Sequence, residues 1–375
     1  MKREKILRKK VIKALKKQGF KINPHVRPRG YSKKTLRQIQ QNARMEQISF
    51  HKKFLLENTE KVISYCKDGK EIDPDKIVLE LREVKSGSLE EILFRWWNLT
   101  WWSIPYQHPY GRQMRFLLWD ITHNCPFGLF ALQSPVLKMS VRDNALGIPN
   151  KELDIWVNRS MNAQRVGALP PYNELLGGKM VALALTSNEI REAYIKKYKN
   201  YVSIIERRRL RPELLFITTT SAFGRSSLYN RLKLNGEVVA ESLGYTKGSG
   251  TFHIPEDLYQ EILEFLASKS VDIARGYGHG PSRKLKLLSL GFKYLGIPKF
   301  EFHGLKREFY LLPLVKNLKD VIQRRKKPIW YNRPFNRLVE YWKGRWAIPR
   351  AKRIPLWSAF ETEKFFIRAT SILKA

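Results

Sequence analysis

Apolar positions along this chain change period several times, and the changes outline its elements. Ile6, Val11, Ile12, Leu15 and Phe20 recur at helical spacing, which predicts an amphipathic helix over 5–18 that ends at Gly19. Asn23-Pro24 and Pro28-Arg29-Gly30 read as a loop, and Ser32 is placed to cap a second helix with Leu36, Ile39 and Ala43 on its inner face. That helix continues or restarts toward Ile63, carrying Phe50, Phe54 and Leu55 on one side. Asp73-Pro74-Asp75 opens a segment over 76–84 that reads as helical, and Ser86-Gly87-Ser88 breaks the chain.

The pattern then tightens. Residues 89–100 have helical spacing, whereas 114–120 and 127–132 are near-continuous apolar runs joined by a polar turn, the mark of a buried antiparallel hairpin. A short strand over 165–169 stops at Pro170-Pro171. Asn173 is placed to cap the helix that follows, with Gly177 and Gly178 in its early turns and Leu175, Leu176, Met180, Val181, Leu183 and Leu185 along it. A basic helix over 189–198, a strand over 213–218, a helix from Ser226 to Leu232 and a strand around Leu243-Gly-Tyr come next. Helices over 255–267 and 282–294, a glycine turn at 276–280 and a strand over 306–312 complete the reading. Strands alternating with helices predict an α/β fold with a central mixed sheet flanked by helices. Residues 1–88 are expected to form a basic helical, DNA-binding amino-terminal module, 89–322 the α/β domain, and 323–375 a basic, aromatic-rich extension.

Charge changes the picture more than length does. Lysine and arginine number 70 against 34 acidic residues, a formal net charge of +36 with a sequence pI near 10.2. Self-repulsion on that scale points to a polyanionic partner, nucleic acid first and DNA in particular. Apolar residues at 43% and aromatics at 12% exclude a disordered basic tail, because such a chain can build a core. Cys66 and Cys125 stand apart from any Cys-x-x-Cys pattern, which argues against a disulfide framework or a cysteine zinc site. No apolar run reaches transmembrane length and the start lacks a secretory segment, so the chain reads as cytoplasmic, with no membrane partner. Trp96, Trp97, Trp101 and Trp102 fit a packed seam better than a base-stacking platform, as they lead into a core strand. The carboxyl-terminal rings, Trp330, Trp342, Trp346 and Trp357 among basic runs, suit either single-strand binding or packing back on the core.

Three Gly/Ser/Arg-rich segments interrupt the apolar ones: 169–179, 218–250 and 276–284. They contain Pro170-Pro171-Tyr172-Asn173 with Leu176-Gly-Gly-Lys179, Ser221 through Leu232, Leu243-Gly-Tyr-Thr-Lys-Gly and Gly278-His-Gly-Pro281 with Arg283, and His303-Gly with Arg307 follows beyond them. In these strings the chain resembles the DruA family, over roughly 95–320. The resemblance implies a part in anti-phage defence beside partners that include a large helicase-like protein, and related domains that accompany transposase genes leave a mobile-element role open. The order of hairpin, strand, glycine helix and strand is also similar to the acyl-CoA N-acyltransferase (GNAT) layout. That family's pyrophosphate loop is degenerate here, because Tyr172-Asn-Glu-Leu-Leu-Gly177-Gly178 lacks the leading basic residue and first glycine. Arg275-Gly-Tyr-Gly278-His-Gly280 has the spacing but follows a helix. Acetyl-CoA is therefore not expected as a cofactor.

Lys179, Arg225, Tyr229, Asn230, Arg231, Lys247, Arg283, His303 and Arg307 are expected to converge on one basic face suited to phosphate or a flipped nucleotide. For catalysis, Asp120, Asp143 and Glu308 are the candidate carboxylates for magnesium or manganese, with His303 or His279 as general base. No spacing ties these acids together. The reading is a DNA-binding component of a defence or mobile-element system, with a metal-dependent nuclease or transposase as the alternative.

Overall fold

The structure is a computed structural model and describes residues 2–374 apart from 23–24, 106–109, 204–206, 208, 210, 249–252, 275–282 and 298–303. From the amino end, α1 (Lys2–Gln18), β1 (Phe20–Ile22) and β2 (Val26–Pro28) lead to α2 (Lys33–Phe50) and α3 (Lys52–Ile63). Next come β3 (Leu79–Glu83), α4 (Leu89–Thr100), β4 (Gln113–Asp120), β5 (Cys125–Gln133), α5 (Ser140–Leu146), α6 (Leu153–Asn158) and β6 (Ser160–Ala168). α7 (Gly177–Ala184) and α8 (Asn188–Tyr198) separate β6 from β7 (Phe216–Thr220). The ribbon of β8 (Lys233–Leu234) and β9 (Glu237–Val238) precedes β10 (Glu241–Tyr245), α9 (Glu256–Ala267), α10 (Arg283–Tyr294) and β11 (Glu308–Pro313). The chain closes with α11 (Leu318–Arg324), α12 (Phe335–Trp342), α13 (Ile348–Arg353) and α14 (Thr362–Lys374).

Seven of these strands form one mixed sheet in the order β10-β11-β7-β6-β5-β4-β3, antiparallel throughout except for the parallel step from β6 to β7. The α/β class with helices flanking a central sheet is thus as expected. Period-two alternation explains the two-sided core. Phe116, Leu118, Phe130 and Leu132 face the layer containing Met180, Val181 and Trp342, whereas Leu117, Trp119 and Leu129 face α4. Gly177 admits the crossover, since a Cβ there would sit 2.7 Å from the Tyr172 carbonyl oxygen.

Three local expectations change. Residues 79–83 are an edge strand paired with β4, not a helix; Ile77, Leu79 and Leu81 alternate, which is the strand period. Residues 226–232 make a single turn with Arg231 at φ 67, too short and too sharply ended for the predicted helix. α7 begins at Gly177 behind Leu176 at φ 57, so Asn173 does not cap it.

Leu7, Val11, Leu15, Leu36 and Ile39 share a cluster with Leu258, Ile262, Phe265, Leu288 and Phe292, so the first helices are buried against α9 and α10. The aromatic extension folds back on the core. Phe366 stacks on Trp96 with ring centroids 4.7 Å apart, and the Trp342 indole donates to the Leu176 carbonyl at 3.2 Å. Among the described residues no helix is long and apolar enough to cross a membrane.

Truncating Phe366 to alanine removes a ring that is 2% exposed and leaves Trp96 facing a void. The expected cost is about 3–5 kcal/mol, read as a lower urea midpoint. An unchanged midpoint would mean that the extension is not docked in solution.

Candidate nucleic-acid interface

β6 and β7 pair only from Ser160↔Phe216 to Ala163↔Thr219. Beyond that point β6 continues along β5 to Ala168, while β7 ends at Thr220 and the sheet parts. The β5–β6 register also slips, from Leu129↔Gly167 to Ala131↔Gln164, which leaves one extra residue on β6. That bulge contains Arg165 at φ 58. Where the strands separate there is a cavity of about 220 Å³ walled by Trp102, Asn162, Arg165, Thr220, Ser226, Tyr229 and Arg307. A neighbour of about 200 Å³ shares Trp102, Ile104, Ala222 and Ser226 with it and adds Lys33, Arg37 and Arg225. A small hollow lined by Phe223, Lys306 and Arg307 adjoins both through Ala222. Among the described residues lining these three hollows none is acidic.

The loop 221–232 holds its course because it is tied to a buried carboxylate. Glu308 accepts from the Ser242 hydroxyl at 2.7 Å, from Asn230 Nδ2 at 3.2 Å and from the Tyr310 hydroxyl. Asn230 Nδ2 also donates to the Ser226 carbonyl at 2.8 Å, and the Ser226 amide donates to Tyr310 Oη at 3.2 Å. Burial alone would raise the Glu308 pKa. The hydrogen bonds from Tyr310, Ser242 and Asn230, with the nearby Arg225 charge, outweigh it and leave the carboxyl below its usual range. Alternation along β11 puts Arg307 on the other side, toward the cavity, and burial lowers the pKa of its guanidinium. Among the described residues no ion pair is made by Lys33, Arg37, Arg225 or Arg307. Arg37 stacks instead over the Phe223 ring, 6.0 Å from its centroid.

The predicted basic residues separate into groups. Arg225, Arg307 and Tyr229 line the cleft. Burial pushes the Tyr229 phenol up to about 12, and its ring packs 4.9 Å from Tyr310. Asn230 is committed to the Glu308 network. Lys179 sits over the Trp346 ring at 5.3 Å, with its pKa lowered by burial and by Arg231. Lys247 is exposed in the loop after β10, and Arg283 is exposed on α10, where it donates to the Ile273 carbonyl. His303, His279 and the 276–280 turn lie outside the described residues. Reading the sequence missed Lys33, Arg37 and Arg165, which only their meeting in the tertiary structure marks, and it weighed Trp102 for base stacking but favoured a packed seam.

The predicted carboxylates do not meet. Asp120 on β4 and Glu308 on β11 lie four strand steps apart, roughly 19 Å at about 4.8 Å per step, too far to share one ion or an ion pair. Asp120 is fully buried and accepts from the Tyr172 hydroxyl at 2.7 Å, from the Thr122 amide at 3.1 Å and from His123 Nδ1 at 2.6 Å. His123 Nε2 in turn accepts the Asp73 amide at 3.0 Å. Asp143 holds Arg142 at 2.6 Å and the Met139 amide at 2.7 Å. Among the described residues no three His, Cys, Asp or Glu side chains gather as a metal site.

The family model described as Druantia protein DruA matches residues 31–324. A curated Druantia protein DruA from Escherichia coli (strain UMEA 4076-1) is 36% identical over 367 residues, 95% of this chain and 91% of that protein. Similarity therefore extends well beyond 95–320 and takes in α2, which supplies Lys33 and Arg37. No solved structure matches.

Because the folded Glu308 pKa is depressed, its contribution to stability is complete above the unfolded value of about 4.3 and is lost as pH falls through the lower folded value. The thermal midpoint of the wild type should therefore exceed that of Glu308→Gln at neutral pH, and the gap should narrow below about pH 4. A gap that stays constant down to pH 2 would contradict the charged network.

Proposed function

The chain belongs to the DruA family, a component of the Druantia anti-phage defence system, and from that premise we propose that it holds nucleic acid, DNA before RNA, in the cleft where the sheet parts. The observation that carries this reading is the set of Lys33, Arg37, Arg225 and Arg307, which line adjoining hollows where no described wall residue is acidic. Guanidinium forks grip phosphate through paired N–H groups, and the Ser226 and Ser227 hydroxyls on the same wall supply further donors. Trp102, on the wall of both larger hollows, offers a ring for an unstacked base. The net charge of +36 adds long-range attraction.

Recognition is the task in this reading, and any chemistry comes from partners, a helicase-like defence protein among them. The dispersal of Asp120, Asp143 and Glu308 supports that choice over the metal-dependent nuclease. The observed order of β4–β5 hairpin, β6, α7 and β7 supports a GNAT-like reading of the core, without acetyl-CoA.

Binding of duplex and single-stranded DNA by the purified chain should weaken steeply as salt rises. Each neutralised phosphate contributes a slope of about −0.9 on duplex DNA. The combined Arg37→Ala, Arg225→Ala and Arg307→Ala variant should lose at least about tenfold in affinity and flatten the slope by about two to three. A Lys326→Ala, Lys327→Ala control, altered in the exposed extension, should change little. Retention that is flat with salt, or equal in the triple variant and the wild type, would remove the cleft from consideration.

A further inference from the structure

The sheet face under α4 changes character partway along. Odd-numbered residues of β4 point at α4: Trp119 and Leu117 are apolar, but Arg115 and Gln113 are not. On β5 the same face runs from Leu129 through Ala131 to Gln133, cross-strand from Gln113. A sheet face packed by a helix is normally apolar along its whole length. Here the polar stretch borders a cavity of about 300 Å³, roofed by Phe94, Asn98 and Leu99 of α4. Asn98 is 4% exposed and its Oδ1 has no hydrogen-bond partner. A buried carbonyl without a donor costs about 1–3 kcal/mol, so Asn98 Oδ1 needs a donor from whatever fills this cavity, water or a ligand.

We propose that this cavity binds a single nucleotide. Asn98, Gln133 and Gln164 present carboxamides, which pair with the mixed donor and acceptor edge of a nucleobase. Phe94 and Leu99 offer apolar surface to the ring. Arg95 and Arg165 on the rim suit the phosphate, and Arg95 is already oriented by stacking 3.9 Å over Phe54. Among the described residues no carboxylate lines the cavity, which disfavours a metal ion, a polyamine or an amino acid. Its size is at the lower end of the roughly 300–1,000 Å³ typical of small-molecule sites. Gln164 and Arg165 also wall the cleft at the parted strands, so the two spaces share that wall. The nucleotide therefore has two sources: a free one, or one swung out of a strand held in the cleft. The second source rests on the nucleic-acid reading above.

Calorimetry on the full chain with AMP, GMP, CMP and UMP tests the free source, with ribose 5-phosphate and inorganic phosphate as controls. Fluorescence of 2-aminopurine placed in single-stranded and duplex DNA tests the other, because a base leaving its stack brightens. We expect binding in at least one arm, and at least about a tenfold loss with Asn98→Leu. That substitution keeps the branched shape, removes the unpaired carbonyl and places its larger methyl groups beside the cavity, so the thermal midpoint should not fall. Should it fail to fold, Gln133→Leu reads the same contact from the sheet side. Retention of ordinary DNA in a gel should survive Asn98→Leu and fail in the Arg37, Arg225, Arg307 variant, which separates this site from the cleft. No response in either arm would overturn the proposal and leave a water-filled cavity. Equal binding of phosphate alone, or affinity unchanged by both leucine variants, would also overturn it.

Discussion

The parting of β6 from β7 is the constraint on which the rest of this structure depends. Two parallel strands that share only four residue pairs leave the far half of β6 with β5 on one side and an open edge on the other. Backbone groups on such an edge must find partners or water, and side chains over it have no opposing strand to pack against. The chain leaving β7 turns away from this edge and stays tied to β11: the Ser221 amide donates to the Glu308 carbonyl at 2.9 Å, and the Glu308 amide to the Gly224 carbonyl at 3.0 Å. What remains open is the cleft. Arg165 enters it from the bulge, Arg307 from β11, and α2 brings Lys33 and Arg37 across its mouth.

Glu308 shows how one residue's environment sets the role of its neighbour. A charged carboxylate that is 5% exposed persists only if hydrogen bonds replace its water, and Tyr310, Ser242 and Asn230 supply them. Those bonds fix the loop that contains Arg225 and Ser226. Because successive strand residues face opposite sides, fixing Glu308 inward turns Arg307 toward the cleft. The acid near the basic site therefore acts by positioning the loop, and it is not itself among the residues that line the hollows.

How much of this the sequence disclosed follows from how local each signal is. The β4–β5 hairpin, the Ser32 cap on α2 and the helices α8 to α10 announce themselves within a few residues, through period, turn chemistry and capping. The Ser32 hydroxyl does accept the Thr35 amide, at 3.1 Å. β3 was legible too, but the alternation of Ile77, Leu79 and Leu81 spans so short a segment that it passes for a helix face. The turn at 226–232 was not: its local sequence suits a helix, and tertiary bonds to Glu308 and Tyr310 decide otherwise. Least legible was the association of α1 and α2 with α9 and α10, contacts across more than two hundred residues with no sequence mark. Arg225 could be singled out because its segment is rich in glycine and hydroxyls, and Arg307 because it follows His303-Gly in a string of the family. Arg37 and Arg165 could not, since one is a basic residue among many on α2 and the other interrupts an apolar strand.

Charge placement separates the cleft from the basic surface in general. Much of the acid in this chain serves to join elements: Glu264 and Glu261 on α9 hold Arg3 and Lys10 of α1 at 2.9 and 2.8 Å, and Glu83 holds Lys197 at 2.8 Å. Such exposed pairs contribute little each, about 0–1 kcal/mol, yet they neutralise cations that would otherwise repel across the interfaces. At the parted sheet the pattern reverses, with cations gathered from α2, β6, the 221–232 loop and the start of β11 and no acid among the described wall residues. Like charges held together raise the energy of the empty cleft, and a partner of opposite charge recovers it. A surface evolved only for solubility has no reason to concentrate that repulsion in a concave place, whereas a phosphate backbone laid there turns it into affinity.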